Sequence, residues 1–283
     1  MLGSLRHKST CVGDANAEIG RLIQHAPGRV AKAAHYHFQS GGLRMRAQLG
    51  LDAAVALNLP RQVCLVCAVA PELLHNASLI HDDLQDGDTM RRGNPAVWSA
   101  YGKNTAILTG DYLISLAYSA LADHPRPASA LRAMHDCIAT TIAGQTQDVR
   151  TAQPTPNDYE MIAANKSGPL LALPVRLALI AADAPGEQIA ARVGRDLSKA
   201  YQTLDDIADR SADLAHGGTN GCLSFEALGH SQDSSKHAAC AMAHASLEAA
   251  RTGARTLSNG TGATFLALAN HLETKLKDVS DAT

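Results

Sequence analysis

The sequence predicts an all-α fold: a single domain of long helices. Three observations lead there. Apolar residues recur at helical spacing through most of the 283 residues, and no stretch of any length alternates with the period of a strand. Alanine is abundant and aromatic residues make up only 4% of the chain. Cores of Ala and Leu favour close-packed helices over sheets. Proline and glycine pairs break the chain into helix-sized pieces, and no linker or internal repeat divides it.

Residues 1–12 are expected to be disordered, and residues 13–278 to form the helical domain. The first helix runs from about Asp14 to His25 and stops at Pro27-Gly28; a second covers 29–39. Gly41-Gly42 then precede a helix from about Leu43 to Leu57. Paired glycines let backbone come close to something, and the first turn beyond them offers N–H groups to an anion. From Arg61 to Asp86 the chain is apolar almost all round, the mark of a buried central helix. GDTMRRGNP reads as a loop, and 96–122 as one or two helices containing Gly110-Asp111. After the break DHPRP, a helix over 128–150 carries GQTQD, and TAQPTP is a loop. The helix from about Asn157 to Lys166 is interrupted by Ser167-Gly168-Pro169, and another covers Leu170 to Ala182. Pro185-Gly186 opens a helix from Glu187 to Asp209; HGGTNG is a flexible loop; 231–257 and 262–277 close the fold.

Composition excludes several classes. The net charge of −2 gives no electrostatic case for nucleic acid or an anionic membrane. The six cysteines are scattered, and Cys64 and Cys67 read as buried thiols within VCLVCAVA, because no second ligand pair stands at zinc spacing. His35, His37, His216, His230, His237 and His244 form no metal pattern. The N-terminus lacks the apolar core of a signal peptide, and LLALPVRLALIAA is interrupted by Pro174 and Arg176 and too short to span a bilayer. A soluble cytoplasmic protein without a transmembrane segment is expected.

Two acidic clusters carry the chemistry. HDDLQDGDTMRRG holds Asp82, Asp83 and Asp86; YQTLDDIADR holds Asp205, Asp206 and Asp209. On a helix, Asp82 and Asp86 share one face, as do Asp205 and Asp209. Like charges so placed weaken a helix by a few tenths of a kcal/mol unless a cation screens them. Mg2+ suits such pairs, because it takes one or two carboxylates and completes its shell with waters and phosphate oxygens. Arg91 and Arg92 then look like phosphate ligands.

GGLRMR, HNASLIHDDLQDGDTMRRG, Gly110-Asp111, GQTQD, NKSG and YQTLDDIAD, in this order over about residues 40–230, resemble the trans-isoprenyl diphosphate synthases, or polyprenyl synthetases. The resemblance implies an isoprenoid-synthase-type bundle of long helices around a central cavity, usually a homodimer. It implies that the two clusters face each other across the cavity mouth and bind three Mg2+, which hold an allylic diphosphate beside isopentenyl diphosphate. Asp82, Asp86, Asp205 and Lys166 would be catalytic, and Asp82, Asp83, Asp86, Asp205, Asp206 and Asp209 metal-binding. Arg46, His75 and Arg92 match isopentenyl diphosphate ligands. Arg91, Lys166, Ser167 and Gln202 match groups around the allylic diphosphate. The activity implied is prenyl transfer to isopentenyl diphosphate. Asp111 and Asp148, inside apolar helices, are expected to support basic residues rather than to react.

Three departures keep other readings open. Leu43 stands where the family has a diphosphate-binding lysine, no lysine follows Asp209 in SADLAHGGTNG, and CLSFEALG replaces a further lysine-bearing segment. A terpene cyclase, a prenyltransferase with another acceptor, and a non-catalytic regulatory subunit are the alternatives. Product length is expected to follow from the residues one and two turns below Asp82. Ala77 and Ser78 are small and Leu74 is the first larger side chain, which predicts a product longer than C15, with C20 geranylgeranyl diphosphate or longer expected.

Overall fold

The computed structural model describes residues 11–150, 154–216 and 219–281. The expectations for the first ten residues, for 151–153 of TAQPTP and for 217 and 218 of HGGTNG lie outside the described residues. Within them the chain is all-α, with twelve α-helices, two 3₁₀ turns and one ribbon of two-residue strands. The helices gather into two compact units that divide at Pro127.

The first unit holds α1 (Val12–Ile23), α2 (Gly28–Gln39), α3 (Met45–Ala56), α4 (Arg61–Asp86), α5 (Val97–Tyr101) and α6 (Lys103–Ala120). As its all-round apolar sequence demands, α4 is the core: every side chain from Val63 to Leu74 is buried, and α3 and α6 pack on it. Cys64 and Cys67 lie in that core as free thiols. The segment read as a loop after Asp86 contains β1 (Met90–Arg91) and β2 (Asn94–Pro95), antiparallel, with Arg91 opposite Asn94. Its turn residues, Arg92 (φ 52°) and Gly93 (φ 78°), are both left-handed, as a type I′ hairpin requires. Arg91 and Arg92 go different ways, Arg91 to Asp83 and Arg92 to the Gly41 carbonyl.

The second unit is built from α7 (Pro127–Arg150), α8 (Pro156–Ala181), α9 (Glu187–His216), α10 (Gly221–Glu226), α11 (Gln232–Arg255) and α12 (Ala263–Asp281). Two sequence expectations fail here. First, α8 does not break at Ser167-Gly168-Pro169 but continues to Ala181. Proline removes one helical hydrogen bond, yet Gly168 to Val175 are all buried, and packing outweighs the local penalty. Second, α9 continues past Asp209 to His216. CLSFEALG, to which the sequence assigned no element, contributes most of α10, capped by the Asn220 side chain, which accepts from the Cys222 and Leu223 N–H groups. A bidentate pair between Arg210 and Glu226 ties α10 to α9, with N···O distances of 2.7 and 2.6 Å.

By length and apolar composition, α4 and α6 could each cross a bilayer. Most of α4 is buried within its unit, whereas α6 exposes Ile107, Leu108 and Tyr118 on one face together with Asp111.

Candidate active site

Each acidic cluster lies on the C-terminal half of a long helix, and within each the middle aspartate turns into the protein. On α4, Asp83 is 1% exposed and its Oδ1 accepts from the Arg91 guanidinium, with Arg91 Nε at 2.7 Å. Its Oδ2 is buried with no hydrogen-bond partner among the described residues. Burial pushes the Asp83 carboxyl above the usual range, and Arg91 pulls it back only partly. Asp82 and Asp86 stand one turn apart on the same helix, Asp82 half-buried and Asp86 exposed.

On α9 the middle residue is Asp206, also buried. Its Oδ1 accepts from Gln202 Nε2 at 2.8 Å and its Oδ2 from the Gly221 N–H at 2.7 Å. Burial raises its pKa to about 6. Asn220 Nδ2 donates to the Asp206 carbonyl and to Asp213 Oδ2, each at 2.7 Å, so the chain after α9 folds back onto the cluster. Asp205 and Asp209 stand one turn apart; burial and then the charge of Asp209 raise the Asp205 carboxyl. Gln202, expected beside a diphosphate, is turned toward Asp206 here.

Arginines surround His75 in the first unit. Burial, then the guanidinium charges of Arg46 and Arg92, hold its imidazole well below the ordinary value, so it is neutral and can offer a hydrogen bond but no charge. Arg46 is in the first turn of α3. Arg92 reaches back from the hairpin and donates to the Gly41 carbonyl. A Cβ on Gly42 (φ +122°) would sit 2.6 Å from Arg92 Nη1, so the paired glycines make room for that guanidinium. Leu43 is 82% exposed on the same loop. The anion expected at the start of α3 is supplied from within: Ala47 N–H donates to Glu72 Oε2 at 3.2 Å.

In the second unit, Lys166 Nζ lies 2.5 Å from Asp148 Oδ2. This is the supporting role expected of Asp148. Gly144, one turn before Asp148, lets α7 lie against the α8 backbone at Asn165 and Lys166, where a Cβ would clash. Ser167 is half-buried next to Lys166. Asp111 lies 3.7 Å from His81 Nε2 and is exposed. The three side chains expected to set product length all lie on α4. Ala77 and Leu74 are buried, and Ser78 is half-buried with its hydroxyl donating to the His75 carbonyl at 2.8 Å.

The donor sets fit Mg2+. They are carboxylates only, each helix offers an outer pair one turn apart, and Asp83 keeps a buried oxygen without a partner. Among the described residues no three His, Cys, Asp or Glu side chains gather to hold an ion by themselves.

Sequence reading passed over one group, the buried polar chain His37–Asn76–Glu72. Asn76 Oδ1 is 3.0 Å from His37 Nε2, and Asn76 Nδ2 donates to Glu72 Oε1 at 3.0 Å. The signal was there: a lone carboxylate in the apolar run VCLVCAVAPELL must find partners if the helix is buried.

Comparison with known proteins places this geometry. The sequence model of the Polyprenyl synthetase family matches residues 27–222. The chain is 35% identical over 175 residues to a (2E,6E)-farnesyl diphosphate synthase of Mycobacterium tuberculosis, a match covering 59% of this chain and 48% of that protein. The chain thus spans about half the length of that relative. It is 31% identical over 222 residues to a geranylgeranyl diphosphate synthase of Methanosarcina mazei, covering 75% of this chain and 68% of that one. The crystal structure of a geranyltranstransferase from Thermotoga maritima superposes with a TM-score of 0.79 at 25% identity, covering 94% of this chain and 97% of that one. On its helices, its two aspartate clusters and these matches, the chain belongs to the polyprenyl synthetase family.

Proposed function

We propose that this chain is a trans-prenyltransferase that joins isopentenyl diphosphate to an allylic diphosphate, with a product of C20 or longer. Family membership supports the reaction class. The observation that carries the site assignment is the division within each triplet. Asp83 and Asp206 are buried, turned toward Arg91 and the Gly221 N–H, while Asp82/Asp86 and Asp205/Asp209 form the more exposed outer pairs, one turn apart. The outer aspartates would hold Mg2+, three ions in the family pattern, and Asp83 and Asp206 would fix the pairs in place. Bound Mg2+ would supply Lewis-acid neutralisation of the allylic diphosphate as it leaves.

The chain's own groups do the rest. Lys166, steadied by Asp148, and Ser167 and Gln202 would hold the allylic diphosphate, with Arg91 beside Asp83. Arg46, Arg92 and neutral His75 would orient isopentenyl diphosphate by its own diphosphate. When the allylic C–O bond breaks, the carbon formed bonds to the isopentenyl double bond. A proton then leaves to the released diphosphate, so no protein base is needed. Apolar α4 keeps water from the cation. Small Ala77 and Ser78 support a long product, with Leu74 the first larger side chain below them.

The residues from 13 to 278 would act as one prenyl synthase domain in a soluble, cytoplasmic homodimer. The exposed apolar stripe of α6, carrying charged Asp111, suits a subunit contact better than lipid.

Incubation with isopentenyl diphosphate, Mg2+ and each of the C5, C10 and C15 allylic diphosphates, read by product mass, tests the reading. Elongated products are expected, and Asp82→Ala or Asp205→Ala should abolish them while leaving the helical signal intact. Full turnover in either variant, or in excess EDTA, would overturn the assignment.

A further inference from the structure

Glu72 is the most completely enclosed carboxylate of the first unit that the proposed reaction does not use. It sits on α4, 2% exposed, one turn before Asn76 and nearly three turns before Asp82. Its two oxygens meet three partners. Oε2 accepts from the Ala47 N–H of α3 at 3.2 Å, and Oε1 accepts from Asn76 Nδ2 at 3.0 Å and pairs with Arg44 Nη1 at 3.5 Å. Arg44 carries the link further. Its Nη2 donates to the Phe38 carbonyl at the end of α2, its Nε to Asn16 Oδ1 of α1, and its guanidinium lies over the Phe38 ring. Arg44 itself is left-handed (φ 49°), a conformation that costs a non-glycine residue energy and persists only when surrounding contacts fix it.

These bonds pin both ends of the segment from Ser40 to Met45. Before it, Arg44 holds the Phe38 carbonyl; after it, Glu72 holds the Ala47 N–H. Between the two pins lie Gly41, whose carbonyl receives Arg92, and Gly42, whose missing Cβ leaves space for that guanidinium. Arg46 stands one residue before Ala47 in the first turn of α3. Glu72 therefore fixes the backbone under Arg46 and the backbone on which Arg92 rests.

We propose that Glu72 is a positioning residue for the acceptor half of the site: through Arg44 and the start of α3 it sets the spacing of Arg46 and Arg92, and so the affinity for the acceptor's diphosphate. This rests on the reading of Arg46, His75 and Arg92 as isopentenyl diphosphate ligands. Glu72 touches no substrate. Its effect is expected on the acceptor, because its oxygens bond Ala47, Arg44 and Asn76.

The test is Glu72→Gln, which keeps the side-chain shape and an acceptor for Ala47 but removes the charge. Isopentenyl diphosphate binding is measured by calorimetry, and steady-state kinetics by varying each substrate. Loss of one charge-assisted contact that orients two arginines is expected to raise both the Kd and the KM for isopentenyl diphosphate about tenfold. The KM for the allylic diphosphate and kcat should stay within about twofold, a split that a loss of general stability does not produce. Arg44→Lys, which keeps the charge but not the fork onto Phe38 and Asn16, should reproduce the split, and it stands in if Glu72→Gln does not fold. A wild-type chain that binds no isopentenyl diphosphate overturns the acceptor reading and this one with it. A wild type that binds, with a folded Glu72→Gln or Arg44→Lys that binds as tightly or weakens both substrates equally, overturns the positioning role alone.

Discussion

Two buried titratable groups should give this protein opposed pH dependences that nearly cancel. Asp206 is 3% exposed, and burial raises its pKa from the 3.8 of a free aspartate to about 6. The neutral form is the one the fold favours. Its contribution is complete below pH 3.8 and is lost as pH rises through about 6, a swing of about 3 kcal/mol. His37 behaves in reverse. Burial lowers it from 6.5 to about 4 against the opposing hydrogen bond with Asn76, so its contribution is complete above pH 6.5 and is lost as pH falls toward 4, again by about 3 kcal/mol. Acidification from pH 7 to 4 therefore strengthens the fold at Asp206 and weakens it at His37.

Asp206→Asn should uncover the His37 loss. In EDTA, to keep cations off the carboxylates, the variant's melting temperature relative to wild type should be lower at pH 4 than at pH 7 by roughly 6–12 °C, the equivalent of about 3 kcal/mol for a chain of this size. A constant offset is also expected. Asparagine can accept from Gln202 or from Gly221 but turns its amide toward the other, leaving one buried donor unpaired at a cost of about 1–3 kcal/mol. His37→Gln, which can still donate to Asn76 Oδ1, should show the opposite slope. The quantity that decides is the difference between variant and wild type at the two pH values, since other carboxylates titrate in both. An Asp206→Asn offset equal at pH 4 and pH 7 would show that Asp206 is already ionised at pH 4, and the burial argument would fail.

Three further outcomes are expected. Leu43→Lys restores a cation on an exposed loop beside Arg92, so it should lower the KM for isopentenyl diphosphate about fivefold, the effect of about 1 kcal/mol at a solvated position; an unchanged or higher KM would mean that this loop serves another acceptor. Ala77→Phe and Ser78→Phe should shorten the product as seen by mass, and unchanged products from folded variants would move the length-setting wall to another helix; because Ala77 is fully buried, its variant should also melt lower, by an overpacking cost of about 1–3 kcal/mol. Asp148→Asn removes the carboxylate 2.5 Å from Lys166 and should raise the KM for the allylic substrate while sparing that for isopentenyl diphosphate; equal effects on both would remove Asp148 from that role.

What could be read from sequence follows the physics of each signal. The span of α4 from Arg61 to Asp86 was legible because its apolar residues leave no polar face and its ends are marked. The continuity of α8 was not: Ser167-Gly168-Pro169 is a strong local breaker, and only the burial of the residues around it, a tertiary property, keeps the helix whole. The Met90–Pro95 hairpin was hidden because its turn uses Arg92, a residue type with no turn preference, ahead of Gly93. In the site, Asp148 could be matched to a basic partner by type, but that partner's identity is a three-dimensional fact. The roles within Asp-Asp-x-x-Asp were also illegible. Spacing pairs the first and third aspartates, and it says nothing about where the middle one finds its donors.

Those donors bear on the lost lysines. Several cations are held by carboxylates of the chain itself: Arg91 by Asp83, Lys166 by Asp148, Arg210 by Glu226, and Arg44 by Glu72. Such pairs fix a side chain in place at little gain in net positive charge. A diphosphate is drawn by the charge left over, and is recognised by groups already in position. This chain has kept its paired, positioning cations. At Leu43 and after Asp209 it lacks cations of the family pattern, and Arg210, next to the second cluster, is neutralised by Glu226. The consequence falls on affinity rather than on chemistry. On the proposed reaction, the carboxylate pairs that would lower the barrier are all present, whereas long-range attraction for two anionic substrates would be reduced. On that reading, steady-state kinetics are expected to show high substrate KM values with a preserved kcat.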